Sequence, residues 1–141
     1  MLYVLDSNVA VKWFLPEPLA DKASSLLERF RAGAVDLLAP EILLAEFAHA
    51  LIKHHRRGQL TEVEVHDIWT DFRGLRIRTV AIPVVANEAL QLALVHMPRY
   101  YDALYVALAQ EQRCSVVTAD EAMVSAFKPL GCVIALQALA L

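Results

Sequence analysis

Leu2-Tyr3-Val4-Leu5-Asp6-Ser7-Asn8 opens the chain with four apolar residues that run straight into three polar ones. An unbroken apolar run of this length suits a strand buried on both faces, and the polar residues after it suit the turn by which such a strand leaves its sheet. Asp36-Leu37-Leu38-Ala39, Ile77-Arg78-Thr79-Val80-Ala81-Ile82, Ser115-Val116-Val117-Thr118 and Cys132-Val133-Ile134 repeat the pattern. Between these runs the spacing becomes helical. Leu44, Phe47, Ala48 and Leu51 recur after Pro40, and Ala103, Val106, Ala107 and Gln110 after Pro98, with similar patterns near 19–32, 61–74, 83–95 and 121–127. Strands alternating with helices predict a parallel sheet, because parallel neighbours need a helical crossover. The expected fold is α/β: a three-layer α/β/α sandwich around a central, mainly parallel sheet of five strands.

The 141 residues contain no repeat, low-complexity tract or flexible linker, so a single domain over residues 1–141 is expected. A hydrophobic fraction of 57% excludes a disordered chain and leaves apolar surface that a partner can cover. No run reaches the ~20 apolar residues of a membrane span, and the stretch Pro129–Leu141 is broken by Gly131 and Gln137. The start has no basic region of the kind that precedes a secretory signal, so a cytoplasmic protein is expected. A net charge of −3 excludes a protein that holds nucleic acid by bulk positive charge. Cys114 and Cys132 form no CxxC or zinc spacing and are read as small buried hydrophobes.

The chemistry rests on acids. Ligands of open parallel sheets bind outside the carboxyl ends of the strands, and Asp6 and Asp120 each fall just beyond one. Each also precedes an expected helix, so a capping role competes with a functional one. Asp102 has the same ambiguity in the first turn of a helix, where a negative charge suits the dipole. Glu46 interrupts Ile42-Leu43-Leu44-Ala45 and Phe47-Ala48 in an otherwise apolar helix, with Lys53 as an alternative salt-bridge partner. Four converging carboxylates repel one another unless a cation is shared, and oxygen-only ligands select hard Mg²⁺ or Mn²⁺.

Four segments resemble, in order, the motifs of PIN-domain ribonucleases of the VapC toxin type. They are Asp6-Ser7-Asn8-Val9-Ala10-Val11-Lys12-Trp13-Phe14, Pro40-Glu41-Ile42-Leu43-Leu44-Ala45-Glu46-Phe47, Tyr101-Asp102-Ala103-Leu104-Tyr105-Val106-Ala107-Leu108-Ala109 and Thr118-Ala119-Asp120. The resemblance runs from Leu2 to about Phe127. It implies an endoribonuclease that uses Mg²⁺ or Mn²⁺, an acidic metal site of Asp6, Glu46, Asp102 and Asp120, and support from Asn8 and Thr118 by hydrogen bonds. It also implies a cognate antitoxin and a homodimer. Within that set, Asp6, Glu46 and Asp102 are expected to hold the essential ion, Asp120 a second ion or a water, and Asp102 has a base role as an alternative. The segment between Leu60 and Asn87 carries no motif and no assigned role.

Other residues have competing readings. Lys53, Arg56 and Arg57 are candidates for gripping an RNA backbone, and equally for stabilising the end of their helix. Arg73, Arg76, Arg78 and Arg99 read as ordinary solvated charges, and the five histidines show no ligand spacing. Trp13, Phe14 and Leu15 read either as core or as an apolar wall for an antitoxin segment. A Mg²⁺-binding receiver domain normally needs adjacent acids after the first strand and a lysine after a late one, but here Ser7 follows Asp6 and no lysine follows Ser115–Thr118 or Cys132–Ile134. A PIN nuclease of RNA processing, rather than a toxin, is the closer rival.

Overall fold

The computed structural model describes residues 1–141. Five strands, β1 (Leu2–Leu5), β2 (Asp36–Pro40), β3 (Arg78–Val80), β4 (Ser115–Thr118) and β5 (Val133–Ala135), form one sheet in the order β3-β2-β1-β4-β5. Every pairing is parallel, so the sheet is wholly rather than mainly parallel. Seven helices connect the strands: α1 (Ser7–Val11), α2 (Ala20–Arg31), α3 (Ile42–Arg56), α4 (Glu62–Gly74), α5 (Ile82–His96), α6 (Tyr100–Glu111) and α7 (Glu121–Ala126). The chain steps one way across the sheet from β1 to β3 and the other way from β3 to β5. With right-handed crossovers, α1 to α4 therefore cover one face and α5 to α7 the other, which gives the three layers.

Burial explains the unbroken apolar runs. Val4, Leu5, Val116 and Val117 are completely enclosed, as central strands with helices on both faces must be. On α6 every residue from Ala103 to Ala109 is buried, which makes it the central helix of its layer. On α3 the inward stripe is Leu43, Phe47 and Leu51, spaced for one helix face. Phe47 stacks on Phe72 with centroids 3.8 Å apart and meets Phe14 edge-on at 5.9 Å. Truncating a buried Phe costs about 3–5 kcal/mol, so this cluster fixes how α3 is rotated and therefore where the next residue back, Glu46, points.

Three expectations need adjustment. Ser7-Asn8 begins the short helix α1 rather than a turn, since Val9, Ala10 and Val11 find a buried face that five residues are too few to announce. The strand expected over 77–82 is only Arg78–Val80, because Pro83 presets the first turn of α5 and the chain turns helical at Ile82. Cys114 and Cys132 are half-buried rather than buried, and desolvation raises both thiol pKa values, which keeps them protonated. No helix is long and apolar enough to cross a membrane.

Candidate active site

The strand order reverses between β1 and β4, and the crevice beyond their carboxyl ends is where an open parallel sheet binds ligands. Leu5 pairs with Val117, so the next residues, Asp6 just past β1 and Thr118 at the end of β4, stand side by side. The Thr118 hydroxyl donates to Asp6 Oδ2 at 2.6 Å. Asn8 braces the pair from α1: its Nδ2 donates to Thr118 Oγ1 at 3.2 Å and its Oδ1 accepts from the Ala119 amide at 3.0 Å. Asp6 is the N-cap residue of α1 yet makes no side-chain cap bond, which leaves its carboxylate to the crevice.

Glu46, midway along α3, accepts a hydrogen bond from the Tyr105 hydroxyl at 2.6 Å. Asp102, in the first turn of α6, lies 3.7 Å from Nε of Arg99, whose other arm lies 3.8 Å from Asp120 Oδ2. Asp120 does cap α7, since its Oδ1 accepts from the amides of Ala122 at 2.9 Å and Met123 at 3.4 Å. Capping occupies that oxygen and turns Oδ2 toward Arg99. Arg99 is thus part of the site and not a bystander charge. Its side chain is 77% exposed, so these ion pairs contribute little stability and are free to rearrange.

Electrostatics tie the four acids together. Burial raises the Asp6 pKa from 3.8 to about 6; the Thr118 bond opposes the rise, and the charges of Glu46 and Asp102 add to it. Desolvation likewise raises Glu46, against the Tyr105 bond and with the charge of Asp102. Desolvation raises Asp102 as well, against Arg99 and with Asp120. Asp6, Glu46 and Asp102 therefore each sense at least one other acid and are hard to ionise alone.

No three carboxylate, histidine or cysteine side chains stand close enough to cage one ion as they are placed. The donor set nevertheless fits a hard divalent cation, because Mg²⁺ keeps several of its waters and needs only one or two direct carboxylates. Direct ligation by Asp6, Glu46 and Asp102 together is not what the side-chain positions display, and a bound ion would be shared among them partly through its waters.

Two cavities flank the site. One of about 440 Å³ is lined by Glu46, Arg99, Tyr101, His49 and Lys53, and another of about 250 Å³ by Asn8, Glu17, His54, Lys53 and Arg57. Ser7, Ala50 and Lys53 border both, so together they form one groove, and Glu46 is the one of the four acids that lines it. Arg56 lines neither cavity. Trp13, Phe14 and Leu15 face inward: the Trp13 indole donates to the Ala23 carbonyl at 2.8 Å, Phe14 packs on Phe47, and Leu15 is buried. The apolar wall expected from them is core.

Sequence reasoning missed Arg99 and Tyr105. Each is three residues from Asp102, a spacing that puts neighbours on one side of a helix, and that signal was there to be used.

The chain is similar to known proteins over most of its length. The PIN domain family model matches residues 3–127. Ribonuclease VapC3 of Pyrobaculum aerophilum is 32% identical over 134 residues, covering 92% of this chain and 98% of that protein. Among solved structures, PAE2754 from Pyrobaculum aerophilum superposes with a TM-score of 0.71 at 16% identity, over 97% of this chain and 85% of the other. VapBC2 from Rickettsia felis, bound to a DNA fragment from its promoter, gives 0.63 at 19% identity, over 96% and 97%. A toxin–antitoxin complex from Klebsiella pneumoniae gives 0.60 at 16% identity, over 94% and 95%. An all-parallel sheet with acids at its switch point, matched by a family model over most of its length, makes this chain a member of the PIN-domain family.

Proposed function

We propose that the chain is a metal-dependent endoribonuclease and the toxin of a toxin–antitoxin pair. The observation that carries this reading is the gathering of Asp6, Glu46, Asp102 and Asp120 around one crevice in a chain 32% identical to a ribonuclease. A bound Mg²⁺ or Mn²⁺ supplies an activated water and offsets charge on the phosphate. Asp6, Glu46 and Asp102 hold the ion directly or through its waters. Asp120, anchored by its cap bonds, keeps one oxygen toward the crevice to orient water. Thr118 and Asn8 hold Asp6 in place. In hydrolysis the attacking oxygen comes from water rather than from the ribose 2′-hydroxyl, so cleavage of a defined RNA should leave no 2′,3′-cyclic phosphate. Cyclic-phosphate ends on the products would overturn the hydrolytic reading.

Lys53 and Arg57 line the groove, and an RNA strand lying there has its phosphates beside them. Lys53→Ala and Arg57→Ala should each weaken RNA binding and reduce the salt slope of log K by about 0.7. Arg56→Ala should change the slope less. Binding titrations at several salt concentrations check this, and an unchanged slope for the first two variants would place RNA elsewhere.

We also propose a homodimer formed through the outer face of α5. Leu94, Val95 and Met97 are 64%, 71% and 83% exposed, an apolar patch that a monomer would leave in water. Light scattering at micromolar concentration should give twice the chain mass, and Leu94→Asp with Val95→Asp should halve it. A wild-type monomer would contradict the proposal.

A cognate antitoxin is the expected cytoplasmic partner, since one structural neighbour, from Klebsiella pneumoniae, is a toxin–antitoxin complex. An arginine from such a partner can take the place that Arg99 holds beside Asp102 and Asp120. With Trp13 and Phe14 turned inward, the apolar contacts for its inhibitory segment fall to Ile42, Ala45 and Tyr101 on the groove wall. A PIN nuclease of RNA processing remains the second reading, and binding by the product of an adjacent gene favours the toxin.

A further inference from the structure

Tyr105 stands on α6 one turn beyond Asp102 and is 1% exposed. A buried tyrosine hydroxyl needs a partner, and this one donates to Oε1 of Glu46 at 2.6 Å. Across the crevice Thr118 does the same for Oδ2 of Asp6, also at 2.6 Å. Both oxygens of Asp6 are engaged, since Oδ1 accepts from Ser7 Oγ at 3.4 Å, whereas Glu46 has only Oε1 held by a neutral hydroxyl and its other oxygen left for other bonds. The hydrogen bond takes one of the two lone-pair sites on Oε1 and makes it the poorer ligand, so this carboxylate favours ligation through its other oxygen.

That distinction matters for which cation fits. Mg²⁺ demands six oxygens in a near-ideal octahedron at about 2.0–2.1 Å, whereas Ca²⁺ takes six to eight at about 2.3–2.6 Å and readily accepts both oxygens of one carboxylate. We propose that Tyr105 is a positioning residue that, by engaging Oε1 of Glu46, biases this acid toward one-oxygen ligation and tunes the site toward small octahedral cations and against Ca²⁺. The inference rests on the reading that the acids bind a divalent cation. A tyrosine that merely filled the core would alter stability, but it would change the affinity for the two cations in equal proportion.

The test measures Mn²⁺ binding by electron paramagnetic resonance, with Mg²⁺ and Ca²⁺ as competitors, on wild type, Tyr105→Phe and Asp6→Asn. Tyr105→Phe removes only the hydroxyl. Its Mg²⁺ affinity should fall about tenfold, the scale on which partners of metal ligands act. Its Ca²⁺ affinity should fall less or rise, so discrimination between the ions narrows several-fold while the circular dichroism spectrum is unchanged. Unchanged discrimination, with binding lost in Asp6→Asn, overturns the role of Tyr105 and leaves the cation site standing. A wild type that binds no Mn²⁺, or an Asp6→Asn that binds it undiminished, overturns both. Should Tyr105→Phe fail to fold, Glu46→Asp draws the acid off the hydroxyl by one methylene and carries the same expectation and the same contrary result.

Discussion

Asp6→Asn should abolish RNA cleavage and at the same time make the metal-free protein harder to melt at pH 7.5. The loss follows from removing an acid that holds the cation, which withdraws several kcal/mol of transition-state stabilisation, roughly 10²–10⁴-fold in rate. The gain follows from the Asp6 pKa, raised by burial from 3.8 to about 6. A group whose pKa is raised on folding stabilises the fold fully below the unfolded value, and that stability is lost as pH rises through the folded value. Without metal, the cost of ionising Asp6 therefore accrues between about pH 4 and pH 6 and persists above that range, and asparagine escapes it by being neutral throughout. The expected gain is about 1–3 kcal/mol, several degrees in Tm. Calorimetric melting with EDTA at pH 4.5 and pH 7.5 measures it: the variant should exceed wild type at the higher pH and converge with it at the lower. A variant that melts lower than wild type at pH 7.5 would show that the Asp6 charge is compensated within the fold.

Withdrawal of the cation should be equally severe, and it should be coupled to pH. Cleavage should cease in EDTA and return with Mg²⁺ or Mn²⁺. At limiting Mg²⁺ it should fall as pH drops below about 6, because the ion binds ionised carboxylates and Asp6 takes up a proton there. Glu46 and Asp102 are shifted upward as well, so the fall should be steeper than one proton alone gives. Raising Mg²⁺ should move the midpoint to lower pH, since cation and proton compete for the same oxygens. A midpoint that ignores Mg²⁺ concentration would place the titrating group outside the cation site.

The fold was legible because parallel strands buried on both faces leave unbroken apolar runs, and Leu2–Leu5 and Ser115–Thr118 are such runs. The candidate acids were legible because Glu46 interrupts an apolar helix, Asp6 follows β1 directly and Asp120 stands two residues beyond β4. What each acid does with its oxygens was not. Asp6 and Asp120 both precede helices, yet only Asp120 caps one, and the difference arises because Thr118, 112 residues away in the chain, claims an oxygen of Asp6. Arg99 read as a solvated charge and Tyr105 had no reading of its own, since nothing local reveals that the Tyr105 hydroxyl on α6 reaches Glu46 on α3. The inward turn of Trp13 and Phe14 depends on Ala23 and Phe47, again contacts between separate elements.

The central claim is that these carboxylates cut RNA with the help of a divalent cation. Single-turnover cleavage of one end-labelled RNA tests it most directly, with wild type in Mg²⁺, wild type in EDTA and Asp102→Asn in Mg²⁺, all at pH 7.5. The account predicts cleavage in the first reaction alone, with the variant's circular dichroism matching that of wild type. Full cleavage in EDTA, or by a folded Asp102→Asn, would contradict it.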